Sequence, residues 1–250
     1  MRTLVFGLVF VIVLAFALVA ATPLSFVLQR ANIASTGLQW GQAQGTVWNG
    51  RLSGLTYGVQ PIGDMRLSLR PSALLSGRVA YDLDWNGPAG RGSGTLEFNR
   101  DVVILENVEA EARIAELKGL ADRVRALGGR VELRAETVRV RRGRCAEASG
   151  RVSTDALANA AAAFGRAFAV VEGPIECDGP MLQIPLQGRS SAGDELVARL
   201  RVGVVEPSTF EAEARTEDSD FGVALSLLGF EFSEGLYKYR RETSLGGAMR

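Results

Sequence analysis

The sequence predicts a mainly β protein: an N-terminal transmembrane helix followed by a twisted antiparallel β-sheet domain with two or three short helices. Three observations predict it. Leu4–Ala21 is an unbroken apolar run of 18 residues. From Ile33 onward, apolar and polar residues alternate with period two in one segment after another. Between those segments, glycine (29 in the chain) gathers with asparagine, aspartate and proline.

The apolar run comes first. A helix rises 1.5 Å per residue, so about 20 residues cross a hydrocarbon core of roughly 30 Å. Leu4–Ala21 has nearly that length, and apolar character resumes at Phe26, Val27 and Leu28 before Gln29 and Arg30 close the segment. Residues 1–30 are expected to form a cytoplasmic tip and anchor, and residues 31–250 one exported β domain. The competing reading is a cleaved leader with Val19-Ala20-Ala21 as its small-residue site. An ordinary leader core spans only about 7–15 residues, and this run exceeds it.

The strands follow. Met65, Leu67 and Leu69 alternate with Arg66, Ser68 and Arg70. Val79, Tyr81, Leu83 and Trp85 alternate with Ala80, Asp82 and Asp84; Leu182, Ile184 and Leu186 repeat the pattern, as do Leu196, Ala198, Leu200 and Val202. Alternation of this kind places one face on a core and the other in water, as in antiparallel sheets. Trp48-Asn49-Gly50, Trp85-Asn86-Gly87-Pro88 and Asp178-Gly179-Pro180 read as turns, with Asn49-Gly50 offering positive φ in a tight hairpin. Val131, Leu133 and Ala135 are apolar at odd positions, but Val138 and Val140 continue at even ones, so a bulge is expected near Glu136-Thr137. Helices are expected over Ala115–Leu127, stopped by Gly128-Gly129; from a Thr154 or Asp155 cap through Ala160–Ala163; and near Phe221–Leu228.

Composition narrows the function. Lys+Arg and Asp+Glu both number 28, so no global basic field draws nucleic acid. The chain has no histidine, which removes the usual zinc ligand, the usual general base and the Ser-His-Asp triad together. Lys118 and Lys238 are its only lysines. No enzyme activity, cofactor, metal or small-molecule substrate is expected.

Individual motifs agree. Gly90-Arg91-Gly92-Ser93-Gly94 lacks both the G-x-G-x-x-G spacing and a Walker lysine, and reads as a glycine-rich hairpin. Arg130–Arg144 carries an excess of four positive charges, and Asp101–Glu116 an equal negative excess. These read as solvated faces of neighbouring strands or as complementary contacts. Asp82 and Asp84 share a strand face without a visible cleft, and read as surface. Cys145 and Cys177 are the only cysteines. An even count beside an export segment favours a disulfide; two free thiols or a metal site are the alternatives.

Gly45-Thr46-Val47-Trp48-Asn49-Gly50 resembles the G-T-x-W-x-G element of the general secretion pathway protein N family of bacterial type II secretion. Leu74-Leu75-Ser76-Gly77 is similar to that family's short helical link between strands. Cys145-Ala146-Glu147-Ala148-Ser149-Gly150 and Gly173-Pro174-Ile175-Glu176-Cys177-Asp178-Gly179 resemble its paired-cysteine settings. The resemblance implies that Gly45, Thr46, Trp48, Gly50, Gly150, Gly173, Pro174 and Gly179 are structural, and that Cys145 and Cys177 are a pair. It further implies a non-enzymatic, single-pass inner-membrane protein with most of its chain in the periplasm. Such a protein would contact other inner-membrane secretion subunits and support export of folded proteins across the outer membrane. The rival expectation is a periplasmic lipid-handling protein, AsmA-like or lipopolysaccharide-transport-like, whose sheet forms an anchored apolar groove.

Overall fold

The computed structural model describes residues 21–30, 37–118, 120, 122–162, 167–203 and 206–243. Within them, sixteen strands join in one sheet, each antiparallel to its neighbours. The strands are β1 (Leu38–Gln39), β2 (Gln42–Gly45), β3 (Asn49–Tyr57), β4 (Gln60–Leu69), β5 (Val79–Asn86), β6 (Gly90–Phe98), β7 (Val102–Arg113) and β8 (Arg130–Arg141). They continue as β9 (Arg144–Thr154), β10 (Val171–Pro174), β11 (Glu176–Asp178), β12 (Met181–Arg189), β13 (Glu195–Val202), β14 (Ser208–Arg215), β15 (Glu231–Ser233) and β16 (Leu236–Thr243). From β3 onward each strand lies beside its predecessor, with two exceptions. Short β10 and β11 share the gap between β9 and β12, and β15 is folded outside β16. β1 and β2 share the outer edge of β3.

Register turns the period-two pattern into two faces. Met65 pairs with Trp85, Trp85 with Gly92, Gly92 with Ala110, Ala110 with Leu133, and Leu133 with Val152. That apolar row continues as Val152–Gly173 and, nearby, as Leu186–Ala198–Ala212–Tyr239. The expected bulge is present: Ala135 pairs with Gly150 but Thr137 with Ser149, leaving Glu136 extra. β7 carries an extra residue at the same level, between Glu106 and Glu109 as they face β6, where Asn107 has φ +51°. The two bulges are opposite each other, so β7 and β8 keep constant register and both change face together.

Helices α1 (Leu24–Arg30), α2 (Pro71–Leu74), α3 (Asp122–Arg125), α4 (Ala156–Ala162) and α5 (Ser219–Leu227) fill the connections. Among the described residues the core is three clusters strung along the apolar face. Leu24 and Leu28 of α1 pack with Leu52 and Leu55; Ala135, Val152, Ile175 and Ile184 form the middle; Phe168 and Ala214 pack with Phe221 and Leu225 of α5. On β5–β7 the apolar side chains Tyr81, Leu83, Trp85, Leu96 and Leu105 are only half-buried.

Several expectations are corrected or relocated. Ala115–Leu127 is not one helix: a 3₁₀ turn at Ile114–Glu116 is separated from α3. The Gln60 side chain intervenes, donating to the Glu116 carbonyl (3.3 Å) and accepting from the Lys118 amide (2.7 Å). Asn49 and Gly50 are not the turn but the first residues of β3; the positive φ belongs to Gly45, at +81°. The Gly90–Gly94 stretch lies within β6, the second strand of a hairpin, rather than in its turn. Positions 4–20 of the expected span lie outside the described residues, among which no helix is long and apolar enough to cross a membrane. The apolar stretch at 24–28 serves the sheet, since Leu24 and Leu28 are buried on it.

Candidate interaction surfaces

The polar face follows from the same register. Arg51 pairs with Arg66, Arg66 with Asp84, Asp84 with Ser93, Ser93 with Glu109, and Glu109 with Arg134. Together with Asp64, Asn86, Arg91, Glu111 and Glu132 one step along, this row lines a groove of about 670 Å³ across β3–β8. Arg51 binds Asp64 (2.7 Å), and Arg91 binds Glu111 (3.0 Å). The Arg51 hydrogen bond, with a second from the Gly54 amide, holds the Asp64 carboxyl below the usual carboxylate range. Charges of both signs are interspersed along the groove, so it offers no uniform field to a polyanion. Ser93 makes no hydrogen bond to Asp84 or Glu109 among the described residues, and so lacks the base contact of an activated nucleophile. Among the described residues no group of three His, Cys, Asp or Glu is gathered for a metal.

The charge excesses on β7 and β8 are adjacent and complementary. Arg130 approaches Glu111 (3.7 Å), Arg142 binds Asp101 (3.1 Å), and Arg139 reaches across to Glu147 on β9 (3.1 Å). Of the two aspartates read as surface, Asp82 binds Arg70 (2.6 Å) and accepts from buried Thr95 (3.1 Å), while Asp84 lies in the groove. The groove row was readable only as polar positions of an alternating pattern. Its assembly depends on register across six strands, which local spacing does not encode.

Among the described residues, two surfaces beyond the groove are left without a covering element. One is the half-buried apolar face over β5–β7. The other is the pair of sheet edges: β1 and β2 at one end, and at the other the stretch of β16 beyond its three-residue pairing with β15.

The motif residues fall in two separate places. Gly45, Thr46, Trp48 and Gly50 shape the entry to β3. The Thr46 hydroxyl accepts from the Trp48 amide (3.3 Å), a Cβ at Gly45 would strike the Asn49 carbonyl, and Leu24 of α1 lies directly on Gly50. Gly150, Gly173, Pro174 and Gly179 meet around the two cysteines. The Ile175 amide donates to the Gly150 carbonyl (3.0 Å), and the Cys145 amide donates to the Pro180 carbonyl (2.8 Å). Gly173 lies so close to the Pro185 carbonyl that a Cβ would collide with it. Pro174 pairs with Arg151, and Gly179 makes the β11–β12 turn at φ +60°. Cys145 and Cys177 are disulfide-bonded, with Cα atoms 5.7 Å apart, tying β9 to β11.

Residues 36–240 match the family described as type II secretion system (T2SS), protein N. The chain belongs to that family. The match spans both motif regions and every strand from β1 to β15, so a role in type II secretion attaches to the sheet as a whole. No curated protein and no solved structure matches the chain.

Proposed function

We propose that this chain is a non-enzymatic inner-membrane accessory of the secretion machine, anchored by Leu4–Ala21 with its sheet in the periplasm. It works by binding other inner-membrane subunits, and the sheet edges offer the means, since an extended partner strand can add to an unpaired edge. The observation that carries the reading is the family match over 36–240 on a single open sheet. Deleting the gene should leave exoproteins in the periplasm while the outer membrane stays sound. One feature favours a second reading, lipid handling: the apolar face runs unbroken from strand to strand and is only half-buried over β5–β7. On that reading the deletion would admit large hydrophobic antibiotics and leave exoprotein export unchanged, and that outcome would overturn the secretion role.

A further inference from the structure

The chain enters the sheet at one end of the strands. The Val47 amide donates to the Thr22 carbonyl (3.1 Å), and Pro23 bridges to Thr46. The first described residues after the Leu4–Ala21 run are thereby fixed beside the β2–β3 turn. In an antiparallel meander alternate turns share an end, so the β4–β5 link, the β6–β7 turn and the β8–β9 turn stand at this same end.

Those turns expose both apolar and basic side chains. Leu75, just after α2, is 93% exposed and Leu74 is 41% exposed. Phe98 and Val103, flanking the β6–β7 turn, are also exposed. Arg100, Arg141 and Arg144 are exposed, and no ion pair to them is formed among the described residues. Arg142 joins the β8–β9 turn to the β6–β7 turn: its amide donates to the Asp101 carbonyl (2.9 Å) and its Nε to the Asp101 carboxylate (3.1 Å). One continuous rim therefore carries exposed leucines beside uncompensated arginines, next to the point where an 18-residue apolar run leaves off.

We propose that this rim of the sheet rests on the bilayer surface, with Leu74 and Leu75 in the boundary between headgroups and acyl chains. Arg100, Arg141 and Arg144 meet the phosphates of anionic phospholipid. Leucine side chains gain from entering that boundary, and arginines beside them gain from the negative surface potential of anionic lipid. The inference rests on Leu4–Ala21 being a membrane anchor, and it adds a second contact that fixes the orientation of the sheet.

The test uses the full chain in lipid nanodiscs containing phosphatidylglycerol and phosphatidylcholine, with a nitroxide-labelled lipid as quencher. A fluorophore is attached in one sample at Ser76→Cys, on the proposed rim, and in another at Val59→Cys, on the opposite end. The rim label should be quenched at least about twofold more than the distal one, as insertion beside the headgroups requires. The difference should fall when Leu74→Ser and Leu75→Ser are combined, and when phosphatidylglycerol is omitted. Equal quenching at both positions in protein retained by the nanodisc overturns the docking and leaves the anchor standing. Protein that is not retained overturns both. Quenching that ignores phosphatidylglycerol overturns the role of the arginines.

Discussion

Asp82 accepts a hydrogen bond from Arg70 and a second from Thr95, and these hold its carboxyl below the ordinary carboxylate value of about 3.9. Because the folded state lowers this value, the contribution is complete above about pH 3.9 and fades as pH falls through the lowered value. Half the pair is open to water, with both side chains 45% exposed, so its worth is that of an exposed pair, roughly 0–1 kcal/mol. Asp82→Asn should therefore lower the urea midpoint at pH 7 slightly, and the gap from wild type should narrow as pH falls below about 3.9. A gap of constant size across that range would rule out the carboxylate as its source. At this scale the sequence was partly readable. Asp82 was recognisable as a polar strand position, but its partners were not. Arg70 and Thr95 meet it only because β4, β5 and β6 are in register.

Strands were more legible than the connections between them. Alternation marks β4, β5, β12 and β13, and the phase change after Ala135 locates the bulge at Glu136, because a change of face leaves a trace in a single strand. The helix near Phe221–Leu228 was also legible: Asp218 accepts from the Phe221 amide (2.8 Å) at the start of α5, as a helix cap does. The segment after Ile114 was not, since its path is decided by Gln60, 56 residues earlier in the chain. Nor was the small four-residue β10 or the three-residue β11, whose pattern is too short to carry a period. The cysteine pairing belongs to this scale as well. The bond closes a sequence separation of 32, so Cys145→Ser should cost about 3–4 kcal/mol in the chain-entropy model. Hydrogen exchange should quicken first in β10 and β11; uniform acceleration across β3–β16 would show that the bond does not act locally.

Across the whole molecule, each strand touches mainly its neighbours, and the core is divided among three clusters rather than gathered in one. Stability in such an array is close to a sum of local and nearest-neighbour terms, so parts can open separately. Phe221 is buried between α5 and the last strands, and Phe221→Ala should cost about 3–5 kcal/mol there. Native-state hydrogen exchange should then speed up in β14 and β16 while β3 and β4 keep their protection. Equal loss of protection at both ends would instead mean that the sheet opens as a single unit. The antiparallel sheet was legible because alternation repeats along most of the chain. The order of strands was not read from the pattern, since short turns fix neighbours within hairpins but the longer links from β7 to β8 and from β9 to β10 do not. The groove and the open apolar face were not legible, since both depend on how far the faces are covered.

A load applied between the two edges of this sheet would pass through every ladder in turn, as through links in a chain, and the shortest ladder would yield first. That link lies at β10 and β11: four paired residues join β10 to β9, but only one pair, Glu172 with Gln187, joins β10 to β12, beside the three that join β11 to β12. The Cys145–Cys177 bond crosses this seam from β9 to β11. A covalent staple thus backs the hydrogen-bonded fabric beside its narrowest point, so a tug across the sheet would be handed from β9 straight into the β11–β12 hairpin and not to β10 alone.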